Sequence, residues 1–332
     1  MKDNPDSDVF SFKIEENKSE FVRSVEEFTT EKTKKKKCKK KLASKLIYLF
    51  IMALCLVVLV WGVLTVIKSA GEYIKGKRLY SDLSDYFSGN SEMPSAIADM
   101  PDRYSKQDIT SPASISLSEI RSLNLENIKI NVSDTESEGA KYRAKFDALK
   151  LINPDIYGWI SIENSEVDYP IVRGNDNAYY LDHAYTGEYM IVGSIFADYR
   201  TNDKIINNYN TVLYGHNMEN GTMFHIVELM YEDEELFDKT KINVYTADGI
   251  YTYAPISVYE TNAYDQYFRM RFASITEFTD FLNSLLEKSA YKREAEFTEN
   301  ERILTLSTCT NEAFSGRYAL HARLIDVKEF DE

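Results

Sequence analysis

Cysteine is scarce in this sequence: 332 residues hold three. Cys38 and Cys55 fall within the first 67 residues, so Cys309 stands alone in the rest of the chain and no intramolecular disulfide can form there. Histidine is nearly as rare, with four residues, His183, His216, His225 and His321. None has a close His or Asp/Glu partner at metal-ligand spacing, which excludes a zinc site. The acidic balance keeps calcium open in principle, yet no compact acidic loop is present to hold it, so no metal is expected. Internal repeats and a cofactor box are also lacking, and no cofactor is expected.

Charge is missing from one place where its absence is informative. Leu46 to Ile67, LIYLFIMALCLVVLVWGVLTVI, carries none, over a length able to cross a bilayer as a helix. A cleaved signal peptide is the competing reading, but the run is too long, starts too late and has no small-x-small cleavage site after it. Lys32, Lys34 to Lys37, Lys39 to Lys41 and Lys45 precede it, and the positive-inside rule keeps such a block cytoplasmic. The expected topology is a single pass with the N-terminus inside and everything after Ile67 outside. After Ile67 the chain has 26 Lys+Arg against 44 Asp+Glu; such an exterior repels polyanions, so nucleic acid is not an expected partner, whereas membrane lipid is.

What is present is the composition of a folded protein, with 44% hydrophobic and 28% charged residues. The expected organisation is a cytoplasmic tail over 1–45, disordered apart from its basic block; a transmembrane helix over 46–67; an extracytoplasmic helix and flexible spacer over 68–139; and a catalytic domain over 140–332. A helix is expected from Ala140 to Ile152, where Tyr142, Phe146, Leu149 and Ile152 recur on one face, stopped by Asn153-Pro154. From Gly158 the pattern turns to short β-type runs: Trp159–Ile162, Val167–Val172, Ser194–Ala197, Asn210–Leu213, Ile242–Thr246, Ile250–Tyr259, Ile303–Ser307 and Arg317–Val327. These predict a mainly β fold, an eight-stranded barrel with peripheral helices, one of them over Thr276 to Ser289.

Cys309 ends the run Ile303-Leu304-Thr305-Leu306-Ser307-Thr308-Cys309, and Tyr214-Gly215-His216-Asn217 ends another. A β scaffold presents catalytic groups at such rims. A thiolate can attack an amide and leave again through a thioester, provided that a proton carrier and charge stabilisation are at hand. His216 can carry the proton. Arg317 can stabilise the oxyanion, together with a backbone N–H near Cys309 such as that of Thr310. The order His, Cys, Arg disfavours a papain-like protease, which needs a carboxamide or carboxylate to orient its histidine.

These residues resemble those of the sortases, the membrane-anchored cysteine transpeptidases of Gram-positive bacteria. TLSTC at 305–309 looks like their strand-terminal T-L-x-T-C signature, YGHN at 214–217 like the histidine site, and GR at 316–317 like the arginine site on the last strand. The resemblance spans about 145–328 and is greatest to class B, through NPDIYGWI, DYPIV, DNAYYLDH, GSIFADYR and LYGHNMENGTMF.

The resemblance implies that Cys309 attacks the Thr carbonyl of a C-terminal sorting signal of Asn/Ser-Pro-x-Thr type. The thioacyl group would pass to an amine on a peptidoglycan precursor or cross-bridge, so surface proteins bearing such a signal are the implied partners. A pilin lysine or water would be the alternative acceptor. It also implies that Ser307, Tyr214, Asn177, Leu181 and Thr310 line the signal groove, Thr310 standing where some class members have an acidic residue. Ser307 should share the face of Cys309 by strand alternation, while Tyr214, Asn177 and Leu181 could equally be structural. His183, His225 and His321 are expected to be structural or solvent-exposed.

Overall fold

A computed structural model describes residues 6–90, 137–309 and 316–330, with backbone alone for most of 6–44 and for Cys309. They form two compact units, Met1–Ala70 and Gly71–Glu332. The spacer expected after residue 90 and the groove position Thr310 lie outside the described residues.

Helix α1 (Asp6–Phe87) supplies all of the described backbone in the first unit. It is helical from Asp6, where the sequence leads to an unstructured tail; Glu and Lys fill that stretch and both are strong helix formers. The large apolar side chains from Leu46 to Ile67 stand exposed. By length and composition this stretch can cross a membrane, and it is the one such candidate among the described residues.

The second unit begins inside the same helix. Tyr80, Leu83 and Phe87 recur at helical spacing and are buried. Phe87 stacks on Trp159 at 4.1 Å between ring centroids, and Tyr80 meets Tyr169 edge-on at 5.1 Å. The Tyr80 hydroxyl donates to the Gly193 carbonyl at 2.6 Å. Ser84 bonds to Asp168, whose other oxygen accepts the Trp159 indole N–H at 2.7 Å. The compact unit therefore reaches further toward the N-terminus than the segment 140–332.

Helix α2 (Glu138–Ile152) starts at Ser137, whose hydroxyl accepts the Ala140 N–H, and buries Phe146, Leu149 and Ile152. The eight strands follow: β1 (Ile156–Ile162), β2 (Asp168–Val172), β3 (Ile195–Ala197), β4 (Asn210–Tyr214), β5 (Ile242–Tyr245), β6 (Gly249–Asn262), β7 (Ile303–Cys309) and β8 (Gly316–Glu329). They close into a barrel in the order β1-β2-β3-β4-β7-β8-β6-β5. Closure leaves no sheet edge exposed. Two pairs, β2 with β3 and β4 with β7, are parallel; the others are antiparallel.

Parallel neighbours need a long crossover, and the β4–β7 connection holds most of the remaining structure. Short helices α3 (His225–Glu232) and α4 (Glu234–Lys239) come first. Helix α5 (Ile275–Lys288) is capped by Ser274 and buries Phe278, Leu282, Leu285 and Leu286. These side chains, except Leu286, join Tyr259, Tyr267, Ile303 and Ala319 in a second apolar cluster. Leu304 and Leu306 belong to the main core. β7 is thus buried on both faces, and its hydroxyl residues Thr305, Ser307 and Thr308 are buried with it.

Replacing Phe87 with Ala should cost roughly 3–5 kcal/mol, the usual range for removing a buried aromatic ring. Urea unfolding of the full chain in detergent, followed by near-ultraviolet circular dichroism, measures it. A loss under about 1 kcal/mol would mean that this helix end is not part of the core.

Candidate active site

The register of β4 against β7 determines which polar residues meet. Tyr214 lies opposite Ser307 in this parallel pair, and the Gly215 N–H donates to the Ser307 carbonyl at 3.2 Å. Two residues further on, His216 follows the end of β4 and Cys309 ends β7. β7 then pairs antiparallel with β8, where Cys309 is opposite Arg317. Since paired strands lie about 4.8 Å apart, His216, Cys309 and Arg317 occupy neighbouring positions at one rim.

The His216 ring is held by a single described bond, from Nε2 to the Leu181 carbonyl at 2.6 Å. A carbonyl only accepts, so Nε2 carries the proton and Nδ1 is left as the proton acceptor of the neutral ring. Among the described residues Nδ1 has no hydrogen-bond partner. Gly193, at φ +57°, passes beneath that carbonyl; a Cβ there would come within 2.4 Å of the Leu181 oxygen. Glycine is required by both the backbone angle and the space. The His216 carbonyl in turn accepts the Phe224 N–H at 2.8 Å. Arg317 is half-buried and donates from Nη1 to the Gly316 carbonyl at 2.8 Å. Among the described residues it forms no ion pair.

Below the rim, the face of β7 opposite the main core carries Thr305 and Ser307. Ser307 is buried, 2% exposed, and shares a hydrogen bond of 2.8 Å with the Tyr267 hydroxyl. Tyr214, in register with it, donates its hydroxyl to Asp198 Oδ2 at 3.1 Å. The Asn177 amide donates to the same oxygen at 2.9 Å, and its carbonyl oxygen accepts the Tyr199 N–H at 3.0 Å.

Asp198 is fully buried. Arg200 clamps it, with Nε and Nη2 each at 2.7 Å and the backbone N–H at 3.0 Å. Burial alone would raise this carboxyl, but hydrogen bonds from Arg200 and Asn177 outweigh it and hold the group below the usual carboxylate range. Burial, reinforced by the Asp198 charge, pushes the Tyr214 phenol up, so it stays a donor.

Asn177, Tyr214 and Ser307 therefore lie in one connected region, and Leu181, 41% exposed, joins it through the carbonyl that holds His216. Asp198, Arg200 and Tyr267 carry no role in the sequence reading. GSIFADYR did contain a signal for the first two, an acid and an arginine two residues apart directly after an apolar strand. Tyr267 had none, because its contact to Ser307 spans forty residues of chain.

A protein-family model for the sortase domain matches residues 160–325. Sortase B of Listeria monocytogenes is 33% identical over 193 residues, covering 58% of this chain and 78% of that protein. Among solved structures, B. anthracis sortase B in complex with AAEK2 aligns with a TM-score of 0.52 and 38% identity, over 64% of this chain and 99% of that one. The Staphylococcus aureus sortase B–substrate complex aligns with a TM-score of 0.52 and 33% identity, over 56% and 86%.

This chain belongs to the sortase family. It is a cysteine transpeptidase by family, and these relatives are class B sortases. The sortase's other three histidines have partners of their own. His183 stacks on Tyr179 at 4.0 Å and bonds through Nδ1 to Asp182 and the Tyr179 carbonyl. His225 bonds to Asn217 at 2.8 Å. His321 is fully buried between Thr305, at 2.9 Å, and Tyr259, at 3.2 Å.

Burial, with Lys288 nearby, pulls His321 from 6.5 down to about 3. In the unfolded chain this ring protonates below about pH 6.5, while in the fold it stays neutral to about pH 3. The unfolded state then binds one more proton, so stability falls as the pH drops through that window, by roughly 1.4 kcal/mol per pH unit from this group. Urea unfolding of the sortase and its His321→Gln variant at pH 7, 5.5 and 4.5 should show their stability gap narrowing by that slope. A constant gap would refute the neutral assignment.

Proposed function

We propose that this sortase cleaves a C-terminal sorting signal of Asn/Ser-Pro-x-Thr type through a Cys309 thioacyl intermediate and transfers the protein to a cell-wall amine. The observation that supports it is the shared rim of β4, β7 and β8, where three strand ends bring His216, Cys309 and Arg317 to adjacent positions. The Cys309 thiol first passes its proton to His216 Nδ1, and the resulting thiolate attacks the Thr carbonyl carbon. Arg317, which has no carboxylate to satisfy it among the described residues, stabilises the tetrahedral oxyanion. The carbon–nitrogen bond breaks, and the leaving amine takes a proton from His216.

The acceptor amine then attacks the thioester carbon and gives its proton back to His216 as the carbon–sulfur bond breaks. With Nε2 engaged by the Leu181 carbonyl, Nδ1 is the nitrogen that moves this proton. Ser307, Tyr214, Asn177, Leu181 and Thr310 form the groove for the signal. In this reading the buried Ser307 acts through Tyr267, its hydrogen-bond partner. Leu46 to Ile67 anchors the enzyme as a single-pass membrane protein with its catalytic unit outside the cell, facing surface proteins that carry the signal.

Two measurements test the reading. Cys309→Ala should abolish cleavage of a fluorogenic Asn-Pro-x-Thr peptide, with at least a 10³-fold loss for removal of a covalent nucleophile; residual cleavage near the native rate would sink the thioacyl route. Mass spectrometry of the products with glycine-type peptide, diaminopimelate-type peptide, pilin lysine or no amine should show ligation to one of the two wall-type amines. Ligation to pilin lysine alone would make the enzyme a pilin polymerase, and only the free acid in every arm would make it a hydrolase.

A further inference from the structure

Outside the rim, the most highly connected charged group among the described residues is the Asp198–Arg200 pair. Asp198 follows β3, its own N–H bonded to the Val212 carbonyl of β4 at 2.9 Å, which fixes it beside Tyr214. Its two oxygens accept all five bonds described above, three from Arg200 and one each from Asn177 and Tyr214. A buried carboxylate with this many donors cannot turn without orphaning several of them at once. Asn177 is consequently committed at both ends, and the Tyr214 oxygen is left only its acceptor capacity.

Arg200 is different. Its Nε–Nη2 edge is spent on Asp198, which holds the guanidinium as a planar fork in one orientation. Among the described residues its Nη1 hydrogens have no partner, and 39% of the side chain is exposed. The guanidinium carbon lies 5.8 Å from the Tyr199 ring centroid and 5.9 Å from that of Phe268. Phe268 adjoins Tyr267, which holds Ser307. A fixed cation with a free donor edge and two aromatic neighbours thus borders the same region as Asn177, Tyr214 and Ser307.

We propose that Arg200 is a specificity-determining residue of this sortase, donating from its free edge to an oxygen of the bound peptide, and that Asp198 is the positioning residue that aims it. This rests on the peptide groove of the reading above. The oxygen belongs either to a main-chain carbonyl or to a side-chain carboxylate, and a charge-assisted bond from a preoriented fork suits both. Because Asp198 already neutralises the charge, the gain comes from fixed geometry more than from long-range attraction.

The test uses the full-length enzyme in detergent and a peptide set with Glu, Gln or Lys at each position flanking the signal. Kinetic constants are compared for the wild type, Arg200→Gln, Arg200→Lys and Asp198→Asn. A side-chain partner predicts that the wild type prefers Glu over Lys at one position by about tenfold or more, and that Arg200→Gln removes the preference. A main-chain partner predicts that KM rises about tenfold for every peptide in Arg200→Gln while kcat changes little.

Arg200→Lys keeps the charge and its attraction to Asp198 but loses the fork, so it should fold and show the same direction of change even if Arg200→Gln does not fold. Asp198→Asn should reproduce the Arg200→Gln pattern. Unchanged KM and selectivity in a folded Arg200 variant would overturn the proposal, as would a loss confined to kcat. A wild type that cleaves none of the peptides would instead overturn the functional reading beneath it.

Discussion

Parallel pairing of β4 with β7 is the constraint on which the rest of this molecule depends. With Tyr214 opposite Ser307, both strands end at the same rim, and the residues just beyond those positions become neighbours. A slip of one residue would turn every β7 side chain to the other face, placing Leu304 and Leu306 outside and Ser307 inside. The register is pinned because both faces are occupied: the main core takes Leu304 and Leu306, and the layer under α5 takes Ile303. The same crossover that parallel strands require carries α3, α4 and α5, so the pairing and the covering layer come from one topological necessity.

Around that pair the protein arranges polar groups in two distinct ways. At the rim, His216 and Arg317 each make one side-chain bond among the described residues, to a main-chain carbonyl, and no described side chain takes up Nδ1 or the rest of the guanidinium. Beneath the rim, Asp198 gathers five bonds and is satisfied throughout. Low bonding suits groups that must change protonation or meet developing charge; full bonding suits groups that must not move. The N-terminal end of the second unit adds a further support, since Ser84 and Trp159 share Asp168 at the start of β2.

Much of the barrel was legible locally. All eight strands were visible as short apolar or alternating runs, and α2 and α5 as amphipathic stripes; their Ser137 and Ser274 caps emerged only in the structure. The packing of Phe87 onto Trp159 and of Tyr80 onto Tyr169 was not legible, because an amphipathic stripe states that a face is buried without naming its partner. Asn177 and Tyr214 were open between groove and structural readings. Their shared bond to Asp198 shows a structural commitment that sequence distance conceals. Tyr267 was invisible for the same reason.

By itself, the sequence determined the apolar stretch from Leu46 to Ile67, the single thiol beyond it, the strand periodicity and the motifs that identify the family. Each is a property of consecutive residues, and local chemistry suffices to read it. Tertiary structure alone decided that Arg317 faces Cys309 across a ladder and that, among the described residues, Leu181 rather than a carboxylate holds His216 and Arg200 keeps one donor edge free. Those are matters of register and of distance between residues far apart in the chain. Only the closed barrel, by burying both faces of β7, leaves them a single solution.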